Sequence, residues 1–229
     1  MVVGGGSEVL VVGAGPAGSS TAMLLAKANV PVLIVEKEVL PRRKPCGGLI
    51  SLRALKEAGS VLESHGFPHI PEVLVERVIC GVRVMGTDPS EKGTEYWEDD
   101  PIGVMVDRSA FDFFLAKRAV EAGAVLLDGL SWRDGLLWSQ REGLVERKSG
   151  RDAAKVIIGA DGALGPTAKT AGMRRWWHRW ELGFTLSTEI HVGTRVCDAI
   201  AGAGRPGGRG VVEFHCLDGL VGGFGWVFP

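Results

Sequence analysis

The chain opens on an alternation of apolar and glycine-rich blocks. Residues 8–12 form a short apolar run, 13–18 are rich in glycine, 19–28 favour helix, and 32–35 are apolar again, ending at Glu36. Unbroken apolar runs of this length read as strands buried on both faces. The first 36 residues therefore predict strand, tight turn, helix and strand, a βαβ unit. Residues 37–50, rich in Pro, Arg and Gly, predict a loop. Ser51 suits the N-cap of a short helix that ends at Gly59.

Further along, the period changes. Between residues 72 and 106, Val73, Val75, Val82 and Val84 suggest strands of period two, and the acidic stretch 91–100 holds a turn. Ser109 and Asp112 resemble a capping box. After them Phe111, Phe114, Leu115, Ala119 and Ala122 mark one helical face, closed by Gly123. Residues 124–127 predict a strand, 130–149 a hairpin or meander, and 156–160 a second wholly apolar strand ending in Asp161-Gly162. Pro166 and Gly172 suit the first and the C′ positions of a helix. Strands are expected again over 181–192 and 209–228, joined by the glycine-rich loop 201–210. Parallel pieces are thus interrupted by antiparallel sheet, with no internal repeat.

Composition narrows the class. A chain of 229 residues can build a core without disulfide or metal staples. Its 26 basic and 27 acidic side chains leave a net charge of −1, so no global basic field points to nucleic acid. Four cysteines, none at Cys-x-x-Cys spacing, argue against a disulfide scaffold and fit a reducing cytoplasm. Cys80, Cys197 and Cys216 lie in strand-like segments and are expected in the core. The five histidines lack metal-ligand spacing, so no metal site is expected. No uncharged apolar stretch is long enough to span a membrane, and no basic region precedes the first apolar run as in a secretory signal.

Gly13-Ala14-Gly15-Pro16-Ala17-Gly18 is a G-x-G-x-x-G motif set between a predicted strand and a predicted helix, with Glu36 18 residues past Gly18. In that context the motif signals a dinucleotide site. Gly13 permits the tight turn, Gly15 lets the backbone approach a pyrophosphate, and Gly18 packs helix on strand. The helix N-terminus faces the anion, and Glu36 can accept hydrogen bonds from an adenosine ribose. A second match, Gly202-Ala203-Gly204-Arg205-Pro206-Gly207, is followed by a strand pattern and reads as a hairpin loop. One dinucleotide site is therefore expected. Arg174, Arg175 and Arg179 alternate with Trp176, Trp177, His178 and Trp180. This run has two readings: an interfacial patch for lipid headgroups or a prenyl diphosphate, or, favoured, a connector whose tryptophans pack between domains. Trp97, Trp132 and Trp138 are expected as core or hairpin aromatics.

Five motifs in order carry a family resemblance. They are the G-x-G-x-x-G, Pro45-Cys46-Gly47-Gly48, the 108–112 helix start, Ile158-Gly159-Ala160-Asp161-Gly162, and Phe224-Gly225-Trp226-Val227-Phe228-Pro229. Together they resemble the geranylgeranyl reductase family, FAD-dependent enzymes that reduce isoprenoid double bonds in lipids, chlorophyll side chains and quinones. The resemblance implies an α/β (α+β) fold: a Rossmann-like FAD-binding domain interrupted by a substrate-side antiparallel β-sheet, as in flavoprotein hydroxylases. On this view residues 1–70 and 101–172 form the FAD-binding domain, and 71–100 and 173–229 the sheet domain. It implies that Gly13, Gly15, Ala17, Gly18, Glu36, Lys37, Cys46, Gly47, Gly48, Arg108, Asp161 and Gly162 hold FAD. Cys46 and Trp226 would face the substrate. Cys46 has two features that make a thiol reactive, a glycine pair and a helix start just after it.

The chain departs from the family pattern at Phe224, where a tyrosine is usual, and at the less polar Ala163-Leu164-Gly165. Family members continue beyond the aromatic motif with a Gly-Asp motif and a helical region, so the chain is expected to be the N-terminal half to two-thirds of a reductase, its sheet domain incomplete. Electrons would come from NADPH or a reduced ferredoxin, the partner would be an isoprenoid lipid, and the location cytoplasmic, with contact at a membrane surface. Alternatives are a flavin monooxygenase or halogenase, and an inactive nucleotide-binding fragment.

Overall fold

The structure, a computed structural model, describes residues 7–56, 70–88, 93–134, 136–139, 143–146, 154–201, 209–219 and 222–229. The chain divides into two compact units, Met1–Lys44 with Ser109–Thr185, and Pro45–Arg108 with Leu186–Pro229. Residues 45–70 and 101–108 thus fall in the second unit and 173–185 in the first, the reverse of the sequence grouping.

The first unit is built on a parallel sheet. Strand β1 (Val9–Val12) lies between β2 (Val32–Val35) and β11 (Val156–Gly159), and β7 (Val125–Leu127) follows β2. Every residue of β1 and β2 is buried, which their unbroken apolar sequence requires. Each such valine or isoleucine contributes about 1.5–3 kcal/mol of burial, so these two strands anchor the unit. The helix Pro16–Lys27 starts with Gly15 at its N-cap and Pro16 in the first position, and buries Ser19, Ala22 and Met23. The helix Arg108–Glu121 buries Phe111, Leu115, Ala116 and Ala119 on one face. Gly123, at φ +111°, reverses the chain after it. An antiparallel meander of β8 (Leu130–Arg133), β9 (Leu136–Ser139) and β10 (Gly143–Glu146) sends Trp132 into the core beside Leu10, Val12, Leu33 and Val35.

The second unit is a six-stranded sheet of β3 (Leu49–Ser51), β4 (Arg77–Met85), β5 (Thr94–Trp97), β6 (Gly103–Met105), β12 (Gly210–His215) and β13 (Gly225–Val227). Its order is β13-β12-β4-β6-β3, and β5 also pairs with β4. All pairings are antiparallel except β12 with β4. Ile79, Met105 and Val212 form its core, with Leu49, Val82, Phe214 and Phe228 packed against them. Elsewhere on the sheet Arg83 bridges the carboxylates of Glu95 and Glu213 across three strands.

Several local expectations are corrected. Glu72–Leu74 is a 3-10 turn that leaves Val73 exposed, and the strand begins only at Arg77. The helix expected from Ser109 begins one residue earlier, at Arg108. Residues 182–192 form no strand. Leu182, Phe184, Leu186, Ile190 and Val192 are exposed, and no described strand pairs with them. A helix, Thr194–Ala201, follows instead. It carries Cys197, partly buried, while Cys216 lies exposed after β12, so only Cys80 of the three is a core residue. Trp138 is half-exposed at the meander. Ser51 accepts the N–H of Ala54 through Oγ at 3.2 Å, as an N-cap does. The end of that helix at Gly59, and the loop from Gly202 to Gly207, lie outside the described residues.

Candidate functional site

In the first unit the glycine motif is held by close packing. The Gly13 N–H donates to Val35 O at 2.8 Å, tying the turn to β2. Gly13 has φ +103°, and a Cβ there would lie 2.4 Å from Ala160 O. At Gly18 a Cβ would meet Gly13 O at 1.9 Å, so the helix approaches the turn more closely than any side chain allows. Gly15 differs. A Cβ there would touch only Arg42 Nη2, at 3.7 Å, so its backbone faces open space. Ala17 is exposed in the first turn of the helix, and Lys37 is exposed just after β2.

Glu36 is 4% exposed. Its Oε2 accepts the Ala14 N–H at 2.8 Å and its Oε1 accepts the Glu38 N–H at 3.1 Å. The residue expected to receive a ribose therefore also fixes the glycine turn. Arg42 lies beside it, with Nε 3.6 Å from Glu36 Oε1 and Nη1 3.1 Å from Oδ2 of the fully buried Asp112. Asp128 holds the intervening loop by accepting the Leu40 N–H at 2.8 Å. Arg42 Nη1 is buried and makes no hydrogen bond. Open backbone at Gly15, a half-used carboxylate and a guanidinium that turns its Nη2 toward Gly15 suit a dinucleotide with its negative pyrophosphate.

Sequence reasoning missed Arg42 and Asp112. Arg42 looks like its neighbours Arg43 and Lys44. Asp112 carried a signal, a charge set among Phe111, Leu115 and Ala116 on a buried helical face.

Asp161 lies two residues past β11, and its carboxylate holds the first turn of the short helix Pro166–Thr170. Its Oδ2 accepts both the Thr167 N–H, at 2.9 Å, and the Thr167 hydroxyl, at 2.6 Å. Gly162 has φ +81° and open space where a Cβ would stand.

In the second unit the Pro-Cys-Gly-Gly loop meets the aromatic motif. A Cβ on Gly47 would lie 2.5 Å from the Phe228 ring and 3.2 Å from Trp226 Nε1. Gly48, at φ +80°, donates from its N–H to Cys46 Sγ at 3.5 Å and accepts the Val106 N–H at 3.0 Å. Cys46 is exposed. It does not stand at a helix start, because Leu49–Ser51 pairs as a strand with Gly103–Met105 before the helix begins. Trp226 is partly buried on β13, within an aromatic array with Phe214, Phe224 and Phe228 at 5.5–6.4 Å between ring centroids. Arg108, partly buried, opens its helix two residues after Val106. The structure thus gathers Gly13, Gly15, Gly18 and Glu36 in one place, and Cys46, Gly47, Gly48 and Trp226 in another. Among the described residues no group of three or more His, Cys, Asp or Glu is arranged to hold a metal.

Comparison with known proteins fits this geometry. A family model described as FAD binding domain matches residues 6–182. The chain belongs to that family of FAD-binding proteins. It is 30% identical to menaquinone reductase of Mycobacterium tuberculosis over all of this chain and 53% of that protein. It is 36% identical to digeranylgeranylglycerophospholipid reductase 1 of Methanopyrus kandleri over 72% of this chain and 42% of the other. The chain thus spans about half the length of such relatives, or less. Its fold matches a geranylgeranyl bacteriochlorophyll reductase-like protein of Thermoplasma acidophilum with a TM-score of 0.64, at 23% identity, over 97% of this chain and 53% of that one. Halogenase PltM matches with a TM-score of 0.56 at 18% identity, over 72% of this chain and 36% of that one. The chain is a flavoprotein-type α/β protein with a separate, mostly antiparallel sheet, similar to geranylgeranyl reductases. No described helix is long and apolar enough to cross a membrane.

Proposed function

We propose that the protein reduces carbon–carbon double bonds of isoprenoid chains with FAD. The contact of Gly47 with Trp226 and Phe228 carries this reading. Cys46, an exposed thiol, directly precedes the glycine packed on that aromatic wall, a surface suited to an apolar, unsaturated chain. Gly15, Glu36 and Arg42 hold the adenosine diphosphate half of FAD, and Lys37, Arg108, Asp161 and Gly162 contribute to the rest. Bound FAD, once reduced, supplies the hydride. Cys46 and Trp226 touch the substrate, Trp226 by stacking on the alkene and Cys46 by holding it in register or a proton near it. The apolar wall keeps water away, which matters because an unactivated alkene is a poor hydride acceptor. Electrons come from NADPH or a reduced ferredoxin.

The names of relatives at 30–36% identity support this substrate class. Dithionite-reduced protein incubated with menaquinone or geranylgeranyl diphosphate should add two hydrogens per double bond, read by mass spectrometry. Unchanged substrate from flavin-loaded protein would refute the reading. The fold likeness to a halogenase favours a second reading, an oxygen-using flavoenzyme. Oxygen uptake coupled to NADPH oxidation would then replace alkene reduction.

A further inference from the structure

One surface feature is used by none of the chemistry above, the basic-aromatic segment after the helix Pro166–Thr170. Its base is fixed. Arg174 donates to Ala163 O and, at 2.6 Å, to Gly165 O, while Trp177 Nε1 donates to Ala163 O at 2.9 Å. The Arg174 guanidinium lies 4.9 Å from the centre of the Trp177 ring. Those two side chains pin the segment to the Asp161–Gly165 turn.

The residues between and beyond them face outward. His178 stacks on Trp180 at 4.7 Å with rings 5° from parallel, and Trp176 meets His178 edge-on at 6.3 Å. Trp176 is 63% exposed and Trp180 81% exposed. Tryptophan side chains normally bury most of their area, and a ladder of exposed aromatic rings on a fixed base is an unfilled contact. Arg175 and Arg179 are exposed and in no ion pair among the described residues. The acidic group that faces this segment is Glu181, which accepts the His178 N–H at 2.7 Å. Local charge is therefore positive although the chain as a whole is slightly negative.

We propose that residues 173–180 dock the protein on an anionic lipid bilayer. Trp176 and Trp180 enter the boundary between headgroups and acyl chains, and Arg175 and Arg179 pair with lipid phosphates. Tryptophan rings with an apolar body and a polar edge favour that boundary, and arginines beside them add attraction to anionic lipid. Exposed tryptophan and arginine also suit single-stranded RNA. The exposed aliphatic neighbours Met173 and Leu182 decide for lipid, because they suit hydrocarbon and present no ring for a base to stack on. The proposal holds whatever the redox substrate is.

The test is flotation of the whole chain with phosphatidylcholine vesicles, with and without phosphatidylglycerol. Binding is expected with phosphatidylglycerol only, weakening as salt rises. Doxyl-labelled lipid should quench the tryptophan fluorescence. R175Q/R179Q should cut binding on the order of tenfold, and W176A/W180A should abolish both binding and quenching. Trp138→Ala, on the meander, should bind like the parent. The arginine variant changes only exposed side chains and keeps the test decisive if the tryptophan variant misfolds. No flotation of the parent, flotation that survives both double substitutions, or displacement from vesicles by single-stranded RNA would overturn the proposal.

Discussion

Replacing Glu36 with glutamine separates two roles that the structure assigns to one carboxylate. Its two oxygens each accept a backbone N–H, from Ala14 at 2.8 Å and Glu38 at 3.1 Å, at a site 4% exposed. Glutamine keeps the shape but has only one accepting oxygen. One N–H must then face an NH2 group, and the surviving bond loses its charge. A hydrogen bond to a charged group contributes about 1.5–3 kcal/mol and a neutral one about 1 kcal/mol. E36Q should therefore lose about 2–4 kcal/mol of stability without flavin, a large part of the 5–15 kcal/mol typical of a domain. The ribose contact adds a separate loss of FAD affinity of about 1.5–3 kcal/mol, roughly ten- to hundredfold. Urea unfolding of the flavin-free protein reads the first quantity. Quenching of flavin fluorescence, titrated on the folded variant, reads the second. Flavin mononucleotide, which lacks the adenosine ribose, should bind variant and parent alike. FAD affinity within twofold of the parent would show that the ribose does not reach Glu36, and a stability loss below about 1 kcal/mol would refute the role in the turn.

Other substitutions test neighbouring parts. Gly15→Ala should leave thermal stability nearly unchanged yet weaken FAD about tenfold or more, because its Cβ meets only Arg42 Nη2 and fills the pyrophosphate approach; Gly18→Ala, 1.9 Å from Gly13 O, should not fold stably. Cys46 should react with a thiol reagent in the folded protein, whereas Cys80, fully buried and with its thiol pushed up by burial, should react only on unfolding. Glu76, though its side chain is exposed, has its carboxyl raised by partial loss of hydration, then by the charges of Asp107 and Glu189. The folded state thus holds that proton more tightly than the unfolded chain, and stability falls as pH rises from the ordinary carboxylate value through the raised one. Glu76→Gln should raise the melting temperature at neutral pH, and the gain should vanish below that window; an equal gain at both pH values would refute the cause.

The parts of the fold that were legible in the sequence are those whose stability is local or whose pattern allows one solution. β1 and β2 read correctly because four consecutive apolar residues buried on both faces leave no other arrangement. Gly123 and Gly172 closed their helices because each needs a left-handed backbone. Val73 and Val75 misled because two valines at period two give no register, and Pro71 with Glu72 starts a turn there. Residues 182–192 mark the limit most clearly. Their apolar positions alternate almost without a break, yet the segment is irregular and exposed. A strand is stabilised by its hydrogen-bonded neighbour as much as by its own pattern, and no described strand offers itself.

The same division runs through the candidate site. Gly13, Gly15, Gly18 and Glu36 could be named in advance because a tight turn, a close backbone approach and an acceptor at the strand end must recur at fixed spacing. Arg42 and Asp112 could not, since their pairing joins a loop to a helix seventy positions away. That pairing makes its own demand on the chemistry. Asp112 is wholly buried, and a buried carboxylate is tolerated only with a partner. Arg42 supplies it through Nη1, which keeps the guanidinium beside Gly15 when no anion is there. Asp112→Asn should therefore leave Arg42 held by Glu36 alone, and less firmly placed beside Gly15. FAD affinity should fall several-fold while riboflavin, which has no phosphate, is unaffected, and the salt dependence of FAD binding should flatten. Titration of both ligands at two salt concentrations decides the matter. An equal loss for FAD and riboflavin would mean that Asp112 supports the fold alone, and that Arg42 reads no phosphate.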